Sequence, residues 1–299
     1  MPGGSSRYQD PVMFRRGQRV EEKGYIGELI TGAALEFIDG RRGQANPWLL
    51  VASYNHPHTP YDGHPQKYYD LYRQEMFRSV PIEPASPRAL REKNLMSDPV
   101  GNLRKAAAAT TALDDQVGAL LAQLRERRLE ENTLVVFVSD NGYLHGRHGL
   151  WSKGLASDPI NMYEEVMRVP LLGRWPAGGW SSGRVPQRLV SFYDFFPAVL
   201  EVAGVPRPGG VRPGRSYGPL AQGKSARWDD VVFGYFRNTA MVRDTRYKLV
   251  LRNRGSGPNE LFDLRTDPTE HRDFVEDPAL RPVQARMARR LVAWLDRYQ

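Results

Sequence analysis

VVFVSDNGYLHGRHGLWSKG occupies residues 135–154 of a 299-residue chain, and its first half decides the fold. Val135, Val136, Phe137 and Val138 make an apolar run of strand length, which Asp140, Asn141 and Gly142 end with turn chemistry. A continuous apolar run, as opposed to an alternating one, marks a strand buried on both faces, as in a parallel sheet. A helical pattern precedes it at about residues 103–128, with Leu113, Val117, Leu120, Leu121 and Leu124 on one face. VPLLGRWP (169–176) is a second strand of the same kind, and LVSFYDFFPAVLEVAGV (189–205) reads as a strand tip entering a helix that Gly204 closes. Strands alternating with helices give an α/β fold, a parallel-rich sheet flanked by helices.

Working outward, residues 20–38 read as a helix on Ile26, Leu29, Ile30, Ala33, Ala34, Phe37 and Ile38, with Gly40 as its stop. NPWLLVASY (46–54) reads as another buried strand, and the prolines of NHPHTPYDGHP force an extended loop after it. Residues 62–98 are proline-rich and irregular. From about Asp229 the rhythm changes to hairpins: VVFGYF, AMVRD, RYKLVLR and LFDL are short strands with turn signals between them. Asp277 and Pro278 then cap a last helix that ends near Tyr298. Two domains are expected, an α/β core over 1–225 and a small C-terminal α+β subdomain over 226–299.

Net charge is +8, and the excess is arginine, since only seven of the 42 basic residues are lysine. The charges are dispersed and not interleaved with aromatics, so a solvated surface is expected and nucleic acid is not. Nothing approaches the roughly 18 apolar residues of a membrane span, so no membrane partner is expected. MPGGSSRYQDPVMFRRGQRV lacks the apolar centre of a signal peptide. Cysteine is absent, which removes disulfides, thiolate metal sites and thiol nucleophiles together.

In open α/β sheets, ligands gather at the carboxyl ends of strands. There, Asp140 and Asn141 offer hard oxygen ligands of the kind Ca²⁺ or Mg²⁺ takes, although Asp-Asn-Gly is also ordinary turn chemistry. His56 and His58, at the end of the other apolar run, suit proton donation or anion contact, or are exposed loop histidines. Lys153 is a compact point charge for an anion. Taken together, these groups describe a site for a tetrahedral oxyanion ester, sulfate or phosphate.

The order PWLLVASYNHPHTPY, ALDDQVGALLAQLRERRLEENTLVVFVSDNGYLHGRHGLWSKG, NMYEEVMRVPLLGRWPAG and SFYDFFPAVLEVAG resembles the type I sulfatases of the alkaline-phosphatase-like superfamily. AMVRDTRYKLVL and NELFDLRTDPTEHRDF resemble the sulfatase C-terminal subdomain, and DPVMFRRGQRVEEKGYIGELITGAALEFI the segment before the Pro-His-x-Pro loop. The resemblance implies hydrolysis of a sulfated small molecule or carbohydrate. It implies that Asp140 and Asn141 ligate a divalent cation, usually Ca²⁺, and that Lys153 binds the sulfate oxygens. His58 would touch the sulfate or protonate the leaving oxygen. His148 matches the histidine of the family's Gly-Glu-His-Gly turn, here Gly-Arg-His-Gly, and is expected with His56 to contact substrate. The insert LASDPIN (155–161) either reshapes the pocket wall or lengthens a surface loop.

What the resemblance does not supply is the nucleophile. Sulfatases use formylglycine made from the first residue of Cys/Ser-x-Pro-x-Arg. The Ser-x-Pro triplets here begin at Ser79, Ser97, Ser157 and Ser256, and their fifth residues are Glu83, Gly101, Asn161 and Glu260, never arginine. The family's tandem metal aspartates also lack a counterpart, because Asp114 and Asp115 fall inside the long helix. The chain is therefore expected to be an N-terminally truncated sulfatase with little or no activity alone, with a separately encoded N-terminal half as a candidate partner. The alternatives are a phosphodiester or phosphonate monoester hydrolase of the same superfamily, and an anion-binding pseudoenzyme without catalysis.

Overall fold

Ala108, Ala109 and Ala112 have no exposed surface, because a helix face of methyl groups lets neighbouring side chains approach closely. In the computed structural model, which describes residues 7–180, 183 and 187–299, this face lies in the first of two units, formed by residues up to 82, 94–133 and 145–147. An antiparallel hairpin of β1 (Val12–Arg15) and β2 (Gln18–Glu21) opens it, followed by α1 (Ile26–Asp39), α2 (Gln66–Asp70) and α3 (Pro99–Glu126). Asp98 caps α3 by accepting the Gly101 N–H at 3.0 Å, with Pro99 in the first turn. Tyr8, Tyr25, Ile26, Tyr68, Ala108 and Ala112 form the core between the helices. Asp115 accepts bonds from Tyr68 Oη at 2.8 Å and Lys67 Nζ at 3.3 Å, so it serves the helix face, as expected.

Three sequence expectations change in this unit. The helix expected from residue 20 begins at Ile26, because 18–21 pair as β2. The irregular stretch 62–98 contains α2 and a short turn of helix at Lys93–Ser97. The buried strand expected at 46–54 is not formed. Its side chains do alternate, with Leu50, Ala52 and Tyr54 half-buried, but Leu49 is 74% and Val51 77% exposed. An extended segment becomes a strand only through a neighbour's backbone, and no described residue pairs with it.

The second unit comprises 83–93, 134–144 and 148–299. The apolar run forms β3 (Val135–Val138), paired with β4 (Leu171–Arg174), Val135 opposite Arg174. The pair is antiparallel, as are all pairings among the described strands, where the apolar run pointed to parallel ones. Parallel neighbours need a crossover, usually a full helix, and the connection from β3 to β4 holds turns and the four-residue α4 (Glu164–Met167). Beyond β4 come α5 (Phe195–Val202) and α6 (Gly218–Ala221). No strand forms at 189–191; a turn of helix at Phe192–Asp194 enters α5 directly, and Gly204 follows with φ +64.

The hairpin region is as read. β5 (Val232–Phe236), β6 (Thr239–Arg243), β7 (Tyr247–Arg252) and β8 (Glu260–Asp263) form an antiparallel sheet in that order. Asp277 accepts the Ala279 N–H at 2.9 Å, starting the turn that leads into α7 (Arg281–Tyr298). Met287, Leu291 and Leu295 of α7 pack on Val242, Leu249, Leu251 and Leu261, the period of a helical face meeting the period of a sheet. The elements expected for 226–299 are present, within the same unit as 148–225. No helix among the described residues is long and apolar enough to cross a membrane.

Candidate functional site

The loop after β3 is held by glycines that no other residue could replace. Gly142 N–H donates to Val166 O at 2.8 Å, and an added Cβ would collide with the Glu165 carbonyl oxygen. Gly149 has φ +64, and a Cβ there would strike Pro84 O. Leu144 between them and Leu150 and Trp151 just after are buried anchors, and Leu144 N–H donates to Ser152 O at 3.0 Å. These anchors leave Asp140 exposed at the end of β3 and Asn141 half-buried beside it, where Ser139 Oγ donates to the Asn141 carbonyl at 2.9 Å.

Lys153 follows the anchors and is half-buried. Its carbonyl accepts the Ala156 N–H at 2.8 Å and Asn161 Nδ2 at 3.3 Å. The insert 155–161 is tied down by hydrogen bonds. Leu90 N–H donates to Ala156 O at 2.7 Å, Asp158 N–H to Arg88 O at 3.1 Å, and Arg252 Nη2 to Ile160 O at 2.7 Å. Among the described residues no side-chain partner engages the Asp140 carboxylate or the Lys153 ammonium, so both charges are open to a ligand.

His148 has different surroundings. Its side chain is 8% exposed, and its ring stacks on Tyr163 with centroids 3.7 Å apart. On its other side is His271, at 4.9 Å between centroids, and Nε2 lies 3.7 Å from Glu165 Oε2.

In the first unit the two candidate histidines part company. His56 is buried, its Nε2 hydrogen-bonded to Tyr25 Oη, which also meets His64 Nδ1 at 2.9 Å. Tyr8 packs over both imidazoles, and its hydroxyl donates to His58 O at 2.7 Å. Burial first, then the neighbouring His64, pushes His56 down to about 4, and burial pushes His64 to about 4. His58 is exposed. Its Nδ1 meets the Thr59 carbonyl at 2.5 Å, which makes Nδ1 the donor and leaves Nε2 for other chemistry.

Hard oxygens at Asp140 and Asn141 suit a calcium ion in kind, as two of the six to eight such a cation takes. One cluster of at least three His, Asp or Glu side chains with donor atoms close enough to share a metal occurs among the described residues. It is Glu83, His148 and His271, elsewhere in the second unit. Sequence reasoning missed Glu83, His271 and the buried His64. Glu83 and His271 are 188 residues apart, and no local spacing signals their meeting.

A family model described as Sulfatase matches residues 3–205, and one described as N-sulphoglucosamine sulphohydrolase, C-terminal, matches residues 146–296. An uncharacterized sulfatase of Escherichia coli, YidJ, is 27% identical, covering 94% of this chain and 58% of its own length. The choline-sulfatase of Rhizobium meliloti is 29% identical over 78% of this chain and 47% of its own length. The crystal structure of the putative sulfatase yidJ from Bacteroides fragilis superposes with a TM-score of 0.83 at 24% identity, covering 99% of this chain and 64% of that one. This chain thus spans about half the length of the curated relatives it matches, 58%, 47% and 54% of the first three. With a family model spanning residues 3–205 and the alkaline-phosphatase-like fold shared at that TM-score, the chain belongs to the sulfatase family.

Proposed function

We propose that this chain carries the leaving-group side of a sulfate-ester hydrolase. The observation that carries the reading is the 135–154 stretch, where the uncompensated Lys153 ammonium and the Asp140 and Asn141 oxygens follow one strand of a sulfatase-family chain. A divalent cation, calcium by its preference for hard oxygens, would take Asp140 and Asn141 as two of its ligands and stabilise charge on the ester oxygens. Lys153 would hold a sulfate oxygen and offset the negative charge that builds as the S–O bond to the leaving group breaks. His58 would touch the sulfate through Nε2 or, as the imidazolium with both ring nitrogens protonated, give the Nε2 proton to the departing alkoxide, a role that rests on the family resemblance and on its exposed ring. The substrate class is a sulfated small molecule or carbohydrate.

The sequence contains no Cys/Ser-x-Pro-x-Arg motif, so the formylglycine nucleophile is not among these residues. The expected behaviour of these residues alone is binding without turnover. Calorimetric titration with 4-nitrophenyl sulfate in the presence of calcium tests this. Lys153→Ala should weaken binding about tenfold, the worth of one charge-assisted contact. Equal binding by the variant would overturn the assignment, and robust sulfate release by the purified chain would overturn the missing nucleophile. Tighter binding of a phosphonate monoester than of the sulfate ester would favour the phosphonate hydrolase reading.

A further inference from the structure

We infer that Glu83, His148 and His271 form a binding site for a divalent transition metal of the zinc type, separate from the Asp140–Asn141 pair. One donor atom from each of the three residues lies within 4.8 Å of the others. Glu83 Oε2 and His271 Nε2 are already 3.0 Å apart, about the separation of neighbouring ligands around an ion with bonds of roughly 2.0–2.2 Å. A metal entering here replaces that hydrogen bond and draws in the His148 donor atom, which lies within 4.8 Å of both.

The second observation is His148 itself. Its side chain is 8% exposed, and its buried Nε2 has no hydrogen-bond partner. A buried ring nitrogen without a partner is unfavourable unless something else uses it. Stacking on Tyr163 at an interplanar angle of 5° holds the ring plane, as metal sites require of their histidines. His271 has its other nitrogen on Thr269 Oγ1 at 3.0 Å, which orients that ring too.

Two imidazoles and one carboxylate are a borderline donor set. They select zinc, nickel, cobalt or iron(II) over calcium and magnesium, which prefer all-oxygen shells. Three protein ligands leave a fourth position for water or an external ligand. The three residues come from separate stretches of the second unit: the 83–86 loop, the His148–Gly149 stretch and the segment after β8. There Ser86 N–H already donates to Gly149 O at 2.9 Å. A bound ion would cross-link these stretches and fix the turn that leads to Lys153. His148 would then act as a ligand, in place of the substrate contact that the family turn suggests.

The test uses the full chain stripped with EDTA, freed of chelator and titrated with zinc chloride by calorimetry. Cobalt(II) absorption serves as a second readout. One equivalent of zinc should bind, with ligand-field bands for cobalt that zinc displaces. His271→Ala removes an exposed side chain, so the fold is kept, which an unchanged thermal midpoint of the metal-free protein verifies. That variant and Glu83→Gln should each weaken zinc about tenfold or more and lose the cobalt bands. Equal zinc affinity in wild type and both variants would overturn the site. So would displacement of the zinc by equimolar calcium, which would place the ion on oxygen ligands.

Discussion

The two units bury polar groups in opposite ways. In the first, Tyr25 Oη stands between His56 and His64, all neutral, and two ring nitrogens, His56 Nδ1 and His64 Nε2, are buried with no partner. In the second, Lys248 is fully buried among carboxylates. Its Nζ donates to Met162 O at 2.7 Å and to Glu164 Oε1 at 3.1 Å, and it pairs with Glu270 as well. Glu164 N–H donates to Glu270 Oε2 at 2.6 Å, and Arg243 Nε reaches Glu164 Oε2 at 3.1 Å. Burial raises the Glu270 carboxyl, with Lys248 working against it. A neutral cluster with idle nitrogens fails when a proton arrives; a closed ionic network fails when one member is removed.

The sharpest way to break this contrast is Lys248→Met. It strands two buried carboxylates, so the second unit should lose about 3–5 kcal/mol, read as a lower urea midpoint by Trp294 fluorescence. Adding Glu164→Gln and Glu270→Gln to that variant should restore much of the loss, because the stranded charge is gone. If it does not, the network's contribution is packing and the contrast fails.

Packing in the same unit comes next. Leu291→Ala in α7 empties a fully buried position under the sheet and should cost about 2–5 kcal/mol by the same assay. Intermediate in size is the acid response of the first unit. His56 and His64 titrate at about 4 when folded and near 6.5 when unfolded, so the unfolded chain binds more protons between those values. Stability should therefore fall as pH drops from about 6.5 to about 4, and level off below. His64→Asn should reduce that slope in urea titrations across the range; an unchanged slope would mean other groups carry it. Smallest is Leu172→Ser on β4, where the side chain is 64% exposed. It should change stability by no more than about 0.5 kcal/mol, against the several kilocalories at Leu291.

That last pair shows how far the sequence was legible. The Asp277 cap, the four hairpin strands and the long helix over Asp114 and Asp115 rest on chemistry within a few residues, and all are in place. The run at 46–54 is as apolar as β3, yet Leu49 and Val51 point outward without a ladder partner. Apolarity says that a segment prefers a neighbour; it does not supply one. Likewise, His56 and His58 are two residues apart and read alike, but the first enters a cluster with Tyr25 and His64 while the second stays exposed.

The sequence by itself determined the family, the long helix before β3 and the C-terminal run of hairpin strands and helix, the absence of cysteine and of the nucleophile motif, and the residue types of Asp140 and Lys153 after the apolar run. Each of these is written in residue type or in spacings of two to four positions, which a single chain displays directly. Only the tertiary structure decided which strands found partners, that the 155–161 insert is tied down by residues as distant as Arg252, and that Glu83 meets His148 and His271. Those outcomes depend on contacts between positions up to 188 residues apart. Such contacts are set by how packed layers bring distant backbone together, and no local pattern records them.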